Sequence, residues 1–348
     1  MDWNRSPRED AESWLRLALV PGFPPSALFC LLREKGSPAA AAASLPRGPD
    51  PALLAATLRW LEHENHHLVA WGDPRYPPLL LEIANPPPVL YVAGRVERLA
   101  SPGFAIVGSR NATTQGARDA ETFARALSRA GLAIVSGLAL GIDAAAHRGG
   151  LAEAGSSIAV MGTGPDVYYP AANRELAAAL ARDGCLVSEF PLGTAARPGN
   201  FPRRNRLISG MSKGVLVVEA APASGSLTTA RRALEQDRDV FAIPGSIHSP
   251  LSKGCHWLIK EGAKLVETAD DVLAELGLQA PGASPAPRLA RSPDAVLEAF
   301  GFDAASLDQI VERTGLDASR VAARISLLEL DGRLMPLPGG RFQRVKPC

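Results

Sequence analysis

Hydrophobic and polar positions divide the chain into three parts with different periods. Up to about residue 70, apolar residues recur at helical spacing in short blocks. Residues 11–20 and 26–35 are two such blocks, separated by Pro21-Gly22-Phe23-Pro24-Pro25. An alanine-rich helix follows Gly36-Ser37-Pro38, and a last helix runs to His67, making His66-His67 a solvated helix end. From about residue 100 the pattern changes to short apolar runs with no polar face, at 104–107, 132–135, 157–161, 185–188, 215–219 and 240–243. A further short run at 89–92 precedes them. Amphipathic stretches such as 116–130, 173–182 and 226–235 separate the runs. Runs apolar on both faces, alternating with helices of that length, predict βαβ crossovers and an α/β, doubly wound parallel sheet over residues 71–278.

The third part begins after residues 279–293 (QAPGASPAPRLARSP), which hold four prolines and almost no bulky apolar residue. They read as a linker, placed at 279–290, with a C-terminal module at 291–348. Three helical stretches there, at 293–300, 306–314 and 317–330, precede two short extended runs around Gly339-Gly340. Three helices and a hairpin predict a winged helix. Residues 1–70 read as a small helical, SAM-like domain.

Composition narrows the function. With 37 basic against 36 acidic residues the net charge is +1, so no global field draws in a polyanion and any such affinity has to be local. The four cysteines are scattered, without a CxxC pair, which disfavours zinc ribbons and disulfide scaffolds. No apolar run approaches the roughly 18 residues that a membrane span requires. Together these features predict a soluble cytoplasmic protein with no membrane partner.

Candidate chemistry lies where the predicted strands end. Gly108-Ser109-Arg110, Ser136-Gly137, Gly162-Thr163-Gly164 and the segment 220–226 each follow a strand, and glycine-rich backbone there can approach an anion closely. None matches GxGxxG or GxxxxGK[ST], so neither NAD, FAD nor ATP is expected, and no cofactor is assigned. Ser224-Gly225-Ser226 lacks the strand-elbow of a serine nucleophile and reads as a helix cap with phosphate contact. Asp143 and His147 lie four residues apart, but a third metal ligand is missing. They read as a helix-start carboxylate and a buried histidine.

The strongest local signal lies between Glu189 and Glu219. The intervening residues contain no acid, yet they carry Arg197, Arg203, Arg204, Arg206 and Lys213. Phe201 and Asn205 stand among these cations in Asn200-Phe201-Pro202-Arg203-Arg204-Asn205-Arg206. An aromatic ring beside guanidiniums combines base stacking with phosphate neutralisation, as an unpaired nucleic-acid strand needs. A second reading has the arginines neutralising carboxylates of a neighbouring subunit, with Phe201 in the core. The C-terminal module is more balanced. Its third helix carries Arg320 and Arg324 beside Asp317, Glu329 and Asp331, which favours a protein contact or weak auxiliary DNA contact over sequence readout.

Eight segments in register carry a family resemblance: IVGSR (106–110), SGLALGIDAAAH (136–147), GTGPDVYYPAAN (162–173), SEFP (188–191), FPRRNRLISG (201–210), VVEAAPASGSLTT (217–229), VFAIPG (240–245) and LIKEGA (258–263). In this order they resemble the DprA/Smf family. The resemblance implies an extended Rossmann-like domain that self-associates as a homodimer, flanked by the SAM-like and winged-helix domains. It further implies a non-enzymatic protein that binds incoming single-stranded DNA in natural transformation, protects it and loads the RecA recombinase. The implied DNA-binding residues are Gly108, Ser109, Arg110, Phe201, Arg204, Asn205 and Arg206. Arg203 stands at the variable position of the FPxRNR segment, and Arg197 where relatives often carry a basic residue. Charge and stacking alone leave DNA and RNA equally open.

Overall fold

The computed structural model describes residues 10–20, 22–278, 294–300, 305–337 and 339–345. The predicted linker therefore lies outside the described residues. The chain divides into two compact units, residues 1–281 and 282–348.

The first unit is built on a nine-stranded sheet. Its strands are β1 (His66–Ala70), β2 (Val89–Gly94), β3 (Gly103–Val107), β4 (Ala133–Ser136), β5 (Ser157–Val160), β6 (Cys185–Ser188), β7 (Ser212–Val217), β8 (Asp239–Ala242) and β9 (Lys264–Leu265). They lie in the order β1-β2-β6-β5-β4-β3-β7-β8-β9. Pairing is parallel from β6 through to β9, while β1–β2 and β2–β6 pair antiparallel. The α/β, doubly wound, Rossmann-like reading holds, with a mixed rather than wholly parallel sheet. His66 and His67 open strand β1 instead of ending a helix. Only Leu68, Val69 and Ala70 of that strand are well buried, and three apolar residues are too short a run to reveal a period.

Alternation along β3 shows why both faces must be covered. Phe104 and Ile106 enter one core with α6 (Thr114–Arg129) and α7 (Ile142–Leu151). Ala105 and Val107 enter the other, with α9 (Asn200–Gly210), α10 (Gly225–Glu235) and α11 (Lys253–Lys260). Each such fully buried large side chain is worth roughly 1.5–3 kcal/mol. The remaining helices of this unit are α1 (Ala11–Ala18), α2 (Pro25–Lys35), α3 (Pro38–Ala43), α4 (Pro51–Trp60), α5 (Pro78–Leu81), α8 (Arg174–Asp183) and α12 (Ala269–Glu275). Helices α1–α4 share a core with Leu68, Ala70, Val89 and Tyr91 of the two outer strands, so they cap the sheet's antiparallel edge.

The chain runs outward from β3 to β6, then returns to the other side of β3 as β7. The strand order reverses between β3 and β7, and the loops leaving their carboxyl ends diverge to leave a crevice.

The second unit holds α13 (Ala295–Phe300), β10 (Ala305–Ser306), α14 (Leu307–Thr314), α15 (Ala318–Leu330), β11 (Leu334–Leu337) and β12 (Arg341–Arg344). Its strands pair antiparallel around β12. Val296, Phe300, Ile310, Val321, Ile325 and Leu328 form its own core. Three helices and a β-wing are the winged-helix arrangement that the sequence predicts.

Candidate functional site

The switch-point crevice has a volume of about 800 Å³. It is lined by residues 107–111 at the end of β3, Ala139 and Asp143 around the start of α7, Tyr169 in the loop after β5, parts of 196–208 before and along α9, parts of 221–229 leading into α10, and Leu251.

Arg110 owes its position to the loop behind it. The Ser109 N–H donates to the Glu219 carbonyl at 2.7 Å, and the Ser109 carbonyl accepts from Ile142 N–H at 3.1 Å. Glu219 turns its carboxylate to the other side of this loop, accepting from the Thr113 hydroxyl at 2.6 Å and the Thr113 N–H at 2.9 Å. The exposed Arg110 makes no ion pair among the described residues, and its guanidinium carbon stands 5.7 Å from the centroid of the Phe201 ring. That distance is within cation–π range.

Phe201, in the first turn of α9, packs against Gly162. A Cβ at position 162 would stand 2.7 Å from a ring carbon, so glycine is required for this approach. On its other flank is Tyr169, with ring centroids 5.7 Å apart and planes tilted by 38°. Tyr169 is 47% exposed, whereas Phe201 is half-buried, so Tyr169 presents the more open ring of the pair.

Arg204 has a different role. It is 4% exposed and donates to the carbonyls of Gly137, at 2.7 Å, and Val160. Burial pulls its pKa down to about 10 against the opposing pull of Asp143, so it remains a cation at neutral pH. A Cβ at Gly137 would meet the guanidinium at 2.6 Å. Asp143 accepts from the N–H groups of Gly137 (3.1 Å) and Ala139 (3.3 Å). Burial raises its pKa, while Arg204 and these two N–H groups draw it back. His147 does not face Asp143. Its Nε2 accepts from Leu138 N–H at 3.2 Å and its Nδ1 lies 2.7 Å from the Ser157 hydroxyl, an entirely buried arrangement that lowers its pKa to about 3.

The sequence-predicted residues therefore separate. Gly108, Ser109, Arg110, Phe201, Arg204 and Asn205 line one crevice. Arg197 is exposed on the rim loop between Ala196 and Pro198, two of the lining residues, and has no ion pair among the described residues. Arg203 and Arg206 do not line the crevice. Both bind the buried carboxylate of Glu189, Arg203 at 3.0 Å, and Arg206 also holds the Asn85 carbonyl. The run of cations after Glu189 is thus partly neutralised by Glu189 itself, within one chain.

On the opposite wall, Ser224 caps α10, its hydroxyl accepting from Ser226 N–H at 3.3 Å. Ser226, Thr228 and Thr229 add hydroxyls beside this helix start, where the helix dipole favours an anion. Tyr169 is the lining residue that sequence reasoning missed. Its one signal was position, in the loop after a predicted strand and next to Gly162-Thr163-Gly164. Among the described residues, no cluster of three metal-binding side chains occurs, and no helix is long and apolar enough to cross a membrane.

Residues 67–277 match the family described as DNA recombination-mediator protein A, and residues 279–340 match the DprA winged helix domain. The chain belongs to the DNA recombination-mediator protein A family. Within it, Protein Smf of Escherichia coli strain K12 is 43% identical over 306 residues, covering 85% of this chain and 82% of that protein. The DNA processing protein DprA of Streptococcus pneumoniae is 50% identical over 203 residues, 58% of this chain and 72% of that protein. Among solved recombination-mediator structures, DNA processing protein A of Streptococcus pneumoniae superposes with a TM-score of 0.64 at 37% identity, covering 79% of this chain and 98% of that one. DNA processing protein A of Helicobacter pylori, solved for its single-stranded DNA binding mode, gives 0.56 at 28% identity over 62% of this chain and 96% of that one.

Proposed function

We propose that this chain is a recombination mediator whose switch-point crevice binds single-stranded DNA and breaks no bond in it. One observation carries the reading: Arg110, a cation without an ion-pair partner among the described residues, stands over Phe201 beside the open ring of Tyr169. A lone strand offers both stacking faces and phosphates to such a pair, whereas a duplex hides its base faces. Arg197 on the rim and the hydroxyls at the start of α10 extend the phosphate path, with Gly108, Ser109 and Asn205 forming the floor. Arg204, almost wholly buried, contributes its charge from within the wall, and Arg203 and Arg206 hold α9 through Glu189. The Helicobacter pylori relative's single-stranded DNA binding supports the same reading.

The crevice contributes no acid–base pair to this function. Among the described residues Asp143 is the one acid lining it and is engaged by two backbone N–H groups, while His147 is turned away toward Ser157. We infer further that the protein acts in the cytoplasm as a homodimer through its first unit, protects incoming single strands during natural transformation and loads RecA on them.

The test is a titration of fluorescent oligonucleotides, single-stranded and duplex, without nucleotide or metal. Preferential binding of the single strand, recovered intact, supports the proposal. Equal affinity for duplex, or release of free base or shortened strand, overturns it. For the finer role, RecA-driven strand pairing on DNA coated with single-strand-binding protein should accelerate when the protein is added, and no acceleration refutes loading.

A further inference from the structure

A second concavity, of about 420 Å³, lies in the first unit between α2 and the stretch from Leu81 to Pro86. None of its lining residues belongs to the crevice. On the α2 side the lining runs from Pro25 to Arg33, a length of about 12 Å at the rise of an α-helix. It is thus a groove with room for several residues of an extended chain.

Two large apolar side chains stand open along it, Phe29 at 51% exposure and Leu81 at 49%. Neither is needed to anchor its helix. Leu28 and Leu32 carry α2 into the core, and Leu80 does the same for α5. Phe29 is instead held against Trp71, edge to face, with centroids 6.0 Å apart. A fixed aromatic ring left in water beside a second apolar side chain is the composition of an interface anchor site.

Charge identifies the occupant. Arg33 is the one charged residue among those lining the groove, and it has no ion pair among the described residues. Its guanidinium carbon stands 6.0 Å from the Phe29 centroid, so the cation leans over the apolar wall. The neighbouring acid, Glu34, is taken by Lys35 at 2.7 Å. A single open cation on a mostly apolar groove suits a carboxylate beside a bulky apolar side chain. A nucleic-acid strand would need a row of cations.

We propose that this groove docks an acidic peptide segment of a partner protein. A bulky apolar side chain of that segment enters between Phe29 and Leu81, and an adjacent carboxylate pairs with Arg33. The docking is independent of the crevice, so either can fail without the other.

The experiment uses the full chain with Cys348→Ser. Cys30, which lines the groove, is then the one exposed cysteine among the described residues, because Cys185 and Cys255 are buried. The probe is a fluorescein-labelled oligo-aspartate peptide ending in Leu-Phe. It should bind in an anisotropy titration, and saturating unlabelled peptide should slow maleimide modification of Cys30 several-fold. Arg33→Glu should weaken binding roughly tenfold and gain affinity for the oligo-lysine counterpart, because attraction becomes repulsion. Phe29→Ser and Leu81→Ser should each weaken binding by about as much, with single-strand affinity unchanged. No binding, no protection of Cys30, or equal binding of the oligo-lysine peptide by the parent overturns the proposal. It is also overturned if single-stranded DNA protects Cys30 and Arg33→Glu abolishes that protection, since the groove then belongs to a nucleic-acid path. Phe29, Arg33 and Leu81 are exposed, so the variants keep the fold, which a common melting temperature checks.

Discussion

The guanidinium of Arg110 stands 5.7 Å from the ring centroid of Phe201, and Phe201 in turn rests on Gly162, where no side chain could fit. Three separate loops, after β3, after β5 and at the start of α9, thus meet in one contact. It joins the charge and the aromatic surface of the crevice, and the predictions for binding follow from it.

Arg110→Glu should lower affinity for a single strand more than about tenfold and flatten its salt dependence, because a phosphate partner is lost and a repulsive charge introduced. The side chain is exposed and has no ion pair among the described residues, so thermal stability should change little beyond the loss of its contact with the Phe201 ring. Binding isotherms across a salt series, with a melting curve alongside, test this, and an unaltered salt slope would remove Arg110 from the phosphate path.

Tyr169→Ala should cost roughly 1–3 kcal/mol of single-strand affinity, the range of one stacked base, with the salt slope preserved. Phe201→Ala should lose as much or more, because Arg110 and Tyr169 both lean on this ring. If Tyr169→Ala binds like the parent while Phe201→Ala does not, bases stack on the inner ring and the outer one is only a wall.

Arg204→Met should act on stability first. It strands the carbonyls of Gly137 and Val160 and leaves Asp143 without its cationic neighbour, at a cost of roughly 3 kcal/mol. Denaturant titration should show this loss directly. A variant as stable as the parent but unable to bind DNA would instead place Arg204 in direct contact with the strand.

His147 gives the protein an acid-side stability slope. Its pKa is near 6.5 in the unfolded chain and about 3 in the folded one, so between these values the unfolded state holds the extra proton. Stability should therefore fall by roughly 1 kcal/mol per pH unit as pH drops below about 6.5, and this contribution is flat above it. Asp143, whose pKa is raised by burial, opposes the slope at acid pH, so the comparison has to be with a variant. His147→Gln should flatten the slope measured by urea unfolding between pH 7 and 5, and an equal slope would exclude His147 as its source.

Much of the first unit was legible because its signals are local. The run at 104–107 lies within β3, and the run at 185–188 is β6, since strands covered on both faces must be apolar throughout. Gly108-Ser109-Arg110 was legible as a ligand-facing loop because it follows an apolar strand run and its glycine lets backbone approach a ligand closely. Strand β1 was hidden: its pairing with β2 is a long-range event, and nothing in His66–Ala70 by itself distinguishes it from a helix end.

What the amino-acid order determined alone was the class of the sheet, the winged helix, the loops that end in glycine and the concentration of arginine after Glu189. Which of those arginines meet solvent was decided only by tertiary structure. Arg203, Arg204 and Arg206 occupy one helix within four residues, yet a pair of carbonyls holds Arg204 in the interior, the buried Glu189 carboxylate holds Arg206 largely out of solvent, and Arg203 meets solvent with its charge paired to that same carboxylate. Arg110, a single cation in a loop far away in the chain, is left open. Charge is a property of the residue, but its availability depends on which partners the fold brings within about 3 Å, and sequence spacing does not carry that distance.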